Sequence, residues 1–202
     1  MFISLRAGLS AQTTLRYDSL TPAFAWVTDS VAKLNGLANL RSGRSANISR
    51  EIRLWVGFGM VPPHLLLRVA DSAGTLVGQR IAWWDGEEDS ADRREHVICS
   101  LQCTDKAIGR GMESCRLPPM SPATIRTIWQ LADSLDAWRL PDPMQLSPEG
   151  QSGTDGTSIM VEVRTTPGYR TYDYWEPDSA PWPEAKRAAV LMRFVYSVFR
   201  SR

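Results

Sequence analysis

The sequence has little histidine, almost no net charge and no long apolar run. It contains 2 histidines, and its 23 Lys and Arg are balanced by 22 Asp and Glu, for a formal net charge of +1. A chain without excess positive charge has no overall field that would draw it to nucleic acid or to an anionic membrane surface. No stretch of about 18 apolar residues is present, so the sequence predicts no membrane span. These absences argue against nucleic-acid binding and against a membrane-spanning protein.

Recognisable catalytic signatures are also missing. There is no Gly-x-Ser-x-Gly elbow, and only His64 and His96 could supply an imidazole base to a nucleophile. Gly109-Arg110-Gly111 is not followed by the Lys-Ser or Lys-Thr of a phosphate-binding loop, and the acidic residues between 85 and 89 lack the spacing of a calcium loop. The sequence therefore predicts no cofactor, no metal site and no catalytic residue that can be named.

Carboxylates offer the remaining route to an enzyme. Glycoside cleavage needs two carboxyl groups facing one cleft, and Glu162 and Asp173 lie on neighbouring predicted strands. Glu162 could equally form cross-strand ion pairs with Arg164 and Arg170, which is a common use of a sheet surface. A small carboxylate-dependent hydrolase, with His64 as a further candidate, is therefore an alternative function.

Three cysteines, Cys99, Cys103 and Cys115, fall within 17 residues around the polar loop 104–114. A disulfide between Cys103 and Cys115 is favoured over one from Cys99, because it spans that loop alone. Closing a loop of this length contributes about 3 kcal/mol in the chain-entropy model, in an oxidising compartment. Free thiols and a zinc site are the alternatives, but the spacing lacks a Cys-x2-Cys pair.

The hydrophobic pattern divides the chain near residue 48. A helix is expected from Thr21 or Pro22 to about Leu40, followed by a Ser, Gly, Arg and Asn-rich linker, which makes residues 1–48 an N-terminal helical segment and linker. From Glu51 onward the apolar residues alternate with a period of two, which is typical of strands. Residues 49–202 are therefore predicted to form one α+β domain.

Within that domain, helices are expected from Ser121 or Pro122 to about Trp138 and from Pro183 to the C-terminal region. The expected strands are 51–58, 64–69, 75–84, 95–101, 114–117, 157–164 and 169–175. The connections between successive strands are short enough for antiparallel pairing. The predicted fold is an antiparallel sheet of about six strands, with two or three amphipathic helices packed on one face.

The last predicted hairpin carries a candidate binding surface. Arg170, Tyr172 and Tyr174 alternate along one strand, and Glu162 and Arg164 on the preceding strand are expected to join them. Tyrosine and arginine are enriched at protein interfaces. The alternative is that a helix covers these tyrosines and makes them core residues.

Short motifs along residues 50–199 occur in an order that resembles a family of uncharacterised bacterial proteins, many carried behind export signals. These motifs are Arg53-Leu54-Trp55 with Gly57, Trp83-Trp84, the cysteine pair, Trp138-Arg139-Leu140-Pro141-Asp142, Asp155-Gly156-Thr157, Glu162 with Arg164, Tyr169-Arg170, Tyr172-Asp173-Tyr174, Pro177 and Pro183-Glu184-Ala185. The resemblance implies an extracytoplasmic setting and no established activity.

A periplasmic or otherwise extracytoplasmic location is therefore expected, with a cytoplasmic one still open. Residues 1–11 are too short and interrupted for the apolar core of a secretory signal, so a signal would have to precede them or be already removed. The leading functional hypothesis is a non-enzymatic domain that binds another protein, such as a bacterial toxin or enzyme. An inhibitor or toxin-neutralising immunity protein is its sharpest form, and a structural envelope-associated protein is a third alternative.

Overall fold

The computed structural model describes residues 22–41, 47–58, 64–85, 103–109, 111–147, 156–165 and 168–200. Within these ranges the strands are β1 (Ile48–Val56), β2 (His64–Ser72), β3 (Thr75–Asp85), β4 (Asp105–Gly109), β5 (Met112–Arg116), β6 (Ser158–Thr165) and β7 (Gly168–Trp175). The helices are α1 (Pro22–Leu34), α2 (Pro122–Ser134), α3 (Pro143–Leu146) and α4 (Pro183–Arg200). None of the helices described there is long and apolar enough to cross a membrane.

The described strands form one antiparallel sheet in the order β4-β5-β3-β2-β1-β6-β7. This confirms the α+β class and the antiparallel sheet, with seven described strands where about six were expected. The turn predicted at 71–74 joins β2 to β3, and Ala73 and Gly74 both adopt positive φ there. The amide of Gly74 donates to Oδ1 of Asp71 at 2.8 Å, which closes the turn.

The helices lie on both faces of the sheet rather than on one. Trp55 and Leu66 pack with Val31 of α1 on the first side, which we call the α1 face. The alternate residues of β1, such as Leu54, pack with Ile128 of α2 on the second side, the α2/α4 face. The sequence indicated a half-buried strand at β1, but Leu54 and Trp55 are 1% and 0% exposed. Both faces of β1 are therefore buried against helices.

The α2/α4 face holds the larger apolar core, which α4 completes with its alanine-rich stripe. Helix α2 begins as the sequence predicts, with the Ser121 side chain accepting from the Thr124 amide and Pro122 in the first turn. Gly78 of β3 allows this helix region to come close, because a Cβ there would lie 2.9 Å from Cγ1 of Ile125. The sequence thus determines both where α2 begins and how closely its first turns approach the sheet.

Two helices end earlier than their hydrophobic pattern suggests, and both end in the same way. After α1, the Leu37 amide donates to the Ala32 carbonyl at 2.8 Å and Gly36 has a φ of 64°. After α2, the Ala137 amide donates to the Ala132 carbonyl at 2.9 Å and Asp136 has a φ of 52°. Each arrangement satisfies carbonyls that the helix end leaves open.

Other expectations are corrected or lie outside the described residues. Strand β4 occupies a stretch that was assigned to the polar loop 104–114, and the short helix α3 was not predicted. The strand expected at 95–101 falls outside the described residues. Helix α1, assigned to the segment 1–48, packs against the domain 49–202, and Val31 in it is 0% exposed.

Candidate functional site

A cleft of about 610 Å³ opens on the α2/α4 face, where the end of α2 lies over the ends of β1, β6 and β7. We call it the Trp138 cleft. Its lining comprises three arginines, Arg50, Arg139 and Arg170, two aspartates, Asp133 and Asp136, and Trp138, Val163, Thr165, Gly168 and Tyr169. Its volume is that of an ordinary ligand pocket.

The early end of α2 builds one wall of this cleft. Because Asp136 takes a left-handed conformation, the chain turns back and brings Trp138 onto the sheet. The indole Nε1 of Trp138 donates to Oδ1 of Asp133 at 2.6 Å, which ties the turn to the last turn of the helix. The ring of Trp129 meets that of Trp138 edge-on, with 5.0 Å between centroids.

Arg50 is held against these two rings. Its guanidinium carbon lies 4.0 Å from the ring centroid of Trp138 and 5.1 Å from that of Trp129. Its Nη2 donates to Oδ1 of Asp133 at 3.2 Å. Stacking of this kind restrains a guanidinium group while leaving its edge open for further hydrogen bonds. Arg50 is therefore a positioned cation rather than a freely moving one.

The other two cleft arginines differ in how firmly they are held. Nη2 of Arg170 donates to the carbonyl of Leu140 at 2.5 Å, and the guanidinium carbon lies 5.9 Å from the Tyr172 ring centroid. The Arg139 side chain is exposed and forms no hydrogen bond or ion pair with any residue that the structure describes. The cleft therefore contains guanidinium groups that can still accept an anionic ligand.

The tyrosines proposed for binding are buried, so they do not form an exposed surface. Tyr172 and Tyr174 are both 0% exposed, and their hydroxyls donate to the carbonyls of Ala137 and Pro141, each at 2.6 Å. Burial raises the pKa of both hydroxyls. The segment after α2 covers them, and this tertiary contact could not be seen in the hairpin itself.

Glu162 and Arg164, the other two residues proposed for that surface, lie on the opposite face. In the β6–β7 register Glu162 stands beside Thr171 and Arg164 beside Tyr169. Side chains alternate across a strand, so Glu162 and Arg164 point away from the side that carries Tyr172. The five residues therefore do not form one binding site, although Arg170 does line the Trp138 cleft.

Glu162 belongs instead to a buried charge cluster formed by Glu51, Arg53, Arg68 and Glu162 on the α1 face. Glu51 Oε1 accepts from Nε of Arg53 at 2.7 Å and from Nε of Arg68 at 2.8 Å, and its Oε2 accepts from Nη2 of Arg68 at 2.8 Å. Burial alone would raise the pKa of Glu51, but the hydrogen bond from Arg68 and the charge of Arg53 outweigh it and lower the pKa. Glu51 is thus a fully partnered carboxylate.

Both oxygens of Glu162 are occupied by protein donors. Oε2 accepts from Nε1 of Trp55 at 2.8 Å, and Oε1 accepts from the Tyr169 hydroxyl at 2.9 Å. Burial raises the pKa of Glu162, against the charge of Arg53 and these two hydrogen bonds. A carboxyl group that is 2% exposed and bonded in this way is a structural residue, which weakens its candidacy for hydrolysis.

The remaining hydrolase candidates do not meet in one cleft. Burial and the nearby charge of Asp142 raise the pKa of Asp173 to about 7, and this residue lies on β7 opposite Met160. His64 is hydrogen-bonded to the Gly57 carbonyl and packs against Trp83, with ring centroids 4.4 Å apart. Strands β2 and β7 are three strand spacings apart, about 14 Å, with β1 and β6 between them, so His64 and Asp173 are not neighbours on the sheet.

Three arginines hold the chain that follows α1 onto the α1 face. Arg116 donates to the carbonyl of Asn35 at 2.7 Å, Arg53 to that of Ala38 at 2.6 Å, and Arg164 to that of Leu40 at 2.5 Å. Cations suit the carbonyl groups at and after a helix C-terminus. These side chains therefore secure the N-terminal segment to the sheet.

The favoured cysteine pair is confirmed at disulfide distance. Cys103 precedes β4 and Cys115 lies in β5, with their Cα atoms 5.4 Å apart, a normal separation for a disulfide. Cys99 lies outside the described residues. The part of the chain that is described contains no group of three side chains suited to holding a metal ion.

Sequence reasoning missed the Trp138 cleft because its parts come from separate elements. Arg50 lies between the predicted linker and the predicted strand and carries no signal of its own, and Trp138 and Arg139 stand out only as a helix end and as part of a motif. Comparison with family models, with curated proteins and with solved structures found no match to this chain. Its function is therefore argued from the geometry of the site.

Proposed function

We propose that this protein is a non-enzymatic protein-binding domain, and that it engages its partner through the Trp138 cleft. The observation that carries the proposal is Arg50, held against the ring of the largely buried Trp138, beside the exposed side chain of Arg139. Arginine is one of the residue types that contribute most binding energy at protein interfaces.

The rigidity of this site supports recognition. Arg50 stacks on Trp138 and is bonded to Asp133, and Arg170 is bonded to the carbonyl of Leu140. Groups that are held in place before binding lose less conformational entropy when a partner arrives. The cleft is thus suited to a partner that inserts a side chain or a short segment.

The partner that we propose is another bacterial protein, such as a toxin or an enzyme that this domain neutralises. A periplasmic or other extracytoplasmic setting is part of this proposal. The Cys103–Cys115 pair at disulfide distance supports it, because disulfides persist in oxidising compartments.

Site-specific photo-crosslinking tests the binding role. A photoreactive amino acid replaces Arg139 in the cleft or, as the matched control, Arg126, an exposed arginine nearer the start of α2. The variants are expressed in the bacterium that encodes the protein, and adducts are identified by mass spectrometry. We expect one dominant partner that crosslinks from position 139 and not from position 126.

The captured partner is then purified and its affinity is measured directly. We expect Arg139→Ala and Arg50→Ala each to weaken binding by about tenfold, the effect of losing roughly 1.4 kcal/mol at an interface. Equal affinity for wild type and both variants, or equal crosslinking from positions 139 and 126, would overturn the proposal.

A further inference from the structure

We infer that the partner presents an acidic segment, with Asp or Glu side chains, to the Trp138 cleft. This inference rests on the proposed function and names the chemistry of the partner. It follows from the charges that line the cleft and from which of them are already neutralised.

Two aspartates, Asp133 and Asp136, are the anions of the cleft. Oδ1 of Asp133 accepts hydrogen bonds from the indole of Trp138 and from Nη2 of Arg50. One of the two lining aspartates is thus engaged within the protein, and Asp136 is the other. Against these two carboxylates stand the guanidinium groups of Arg50, Arg139 and Arg170, so the lining has an excess of positive charge.

The arginines of the cleft use only some of their guanidinium donors within the described residues. Arg50 uses Nη2 toward Asp133, and Arg170 uses Nη2 toward the carbonyl of Leu140. Their other guanidinium N–H groups, and all the guanidinium N–H groups of Arg139, have no hydrogen-bond partner among the described residues. Guanidinium groups bind carboxylates through paired N–H donors, so several such pairs can form in the cleft.

Arg50 already occupies the position in the cleft that a cationic ligand would take. The rings of Trp129 and Trp138, with the carboxylate of Asp133, would suit a cation. That position is already filled by Arg50, whose guanidinium carbon lies 4.0 Å from the Trp138 centroid. A lysine or arginine from a partner would have to displace it, whereas an acidic side chain meets the cleft as it stands.

The exposure of the lining residues bears on specificity. Val163 and Trp138 are 1% and 7% exposed, and Arg50 covers one face of the Trp138 ring, so charged side chains form much of the accessible surface of the cleft. A segment that carries several carboxylates can pair with more than one of the three arginines, which favours it over a single inorganic anion.

The test measures binding of a fluorescein-labelled hexaglutamate peptide by anisotropy at 50 mM salt. We expect binding that Arg139→Glu weakens by at least about tenfold, because the substitution places a like charge in the cleft. Arg126→Glu makes the same charge change outside the cleft and is expected to alter affinity by less than about twofold. Hexalysine is expected not to bind.

The inference is contradicted if Arg139→Glu and Arg126→Glu reduce hexaglutamate binding equally, if hexalysine binds more tightly than hexaglutamate, or if hexaglutamate does not bind. Urea unfolding of each variant shows whether the fold is intact, and both substituted arginines are exposed.

The failure of this inference can be told apart from that of the proposed function. If a partner crosslinks from position 139 through a segment without acidic residues, the binding role holds and the acidic partner is wrong. If hexaglutamate binds in the cleft but no protein crosslinks there, the cleft chemistry holds and the protein-binding role is overturned.

Discussion

Two sets of arginines lie on opposite faces of the same sheet and differ in what surrounds them. On the α1 face, Arg53 and Arg68 are 2% and 8% exposed and share the carboxylate of Glu51. On the α2/α4 face, Arg50 and Arg139 line an open cleft and keep donors without partners among the described residues. The residue type is the same, but the first set is committed to the fold and the second remains available to a ligand.

The comparison shows that burial and satisfaction of donors, rather than charge, separate a structural arginine from a binding one. A buried ion pair contributes little net stability compared with an apolar pair, yet removing one partner from it is costly. Exposed arginines cost little to replace. Substitutions in the buried set on the α1 face should therefore reduce stability, whereas substitutions in the exposed set on the α2/α4 face should reduce binding.

The largest effect is expected from Glu51→Gln, which disrupts the buried ion pairs of the α1 face. It removes the carboxylate that the buried Arg53 and Arg68 share and leaves Glu162 as the remaining acidic member of the cluster, at a cost of about 3–5 kcal/mol in the free energy of unfolding. Urea denaturation measures this change. Asp178→Asn, which removes an exposed pair with Arg193, serves as the control and should cost less than about 1 kcal/mol.

Loss of the disulfide should come next. Cys103→Ser removes the link between the residue before β4 and strand β5, which also carries Arg116 and its bond to the chain after α1. We expect the free energy of unfolding to fall by about 3 kcal/mol, and the same fall when the wild type is measured in a reducing buffer. Cys99→Ser is the control, and a similar loss from it would contradict the assigned pair.

Asp173 sharpens the comparison because it is a half-buried residue whose carboxyl group lacks the arginine partners that Glu51 has. Its Oδ1 has no hydrogen-bond partner within the part of the chain that the structure describes, and its pKa in the folded protein is about 7, above the ordinary 3.8. The folded protein thus holds this proton more tightly than the unfolded chain does. Its contribution to stability is therefore complete below about pH 4 and is lost as the pH rises to about 7.

Asp173→Asn should remove that loss. We expect the variant to be more stable than the wild type at pH 8, on the order of 2 kcal/mol, and to differ little from it at pH 4. Urea denaturation across this pH range measures the change. A variant whose stability follows the same pH curve as the wild type would show that Asp173 is ionised in the fold.

A smaller effect is expected from Tyr172→Phe, which links the fold to the cleft. The substitution leaves the carbonyl of Ala137 without its donor, at a cost of about 1–2 kcal/mol in the free energy of unfolding. Since Ala137 directly precedes Trp138, the affinity for hexaglutamate should also fall, by about twofold to threefold. Tyr196→Phe on α4 removes a half-buried hydroxyl that is hydrogen-bonded to Thr157 and does not line the cleft, so it is the control for the change in hexaglutamate affinity.

Much of the sheet could be predicted because its signals are local. The alternation around Ile52 and Leu54, the Asp71 to Gly74 turn and the Ser121-Pro122 helix start each occupy a few neighbouring residues. The same alternation gave no information on how many faces of β1 are covered, because Trp55 opposite Leu54 is also apolar. Whether a strand is buried on one face or on two depends on what packs there.

The candidate site could not be predicted for a related reason. The hairpin pattern correctly placed Tyr172 and Tyr174 on one side of β7, but their burial depends on the distant segment that follows α2. The cleft likewise forms only when Arg50 at the start of β1 meets Trp138 beyond α2. Such contacts carry no signature in the spacing of neighbouring residues.

The most direct test of the division between the two arginine sets is a ¹H–¹⁵N NMR spectrum of the arginine Nε–H groups, recorded with and without hexaglutamate. Nε–H of Arg53 and of Arg68, both bonded to Glu51, should exchange slowly with water and keep their positions when the peptide is added. The signals of Arg50 and Arg139 should exchange rapidly in the free protein and shift on binding. Rapid exchange at Arg53 and Arg68, or peptide-induced shifts at neither Arg50 nor Arg139, would contradict the account.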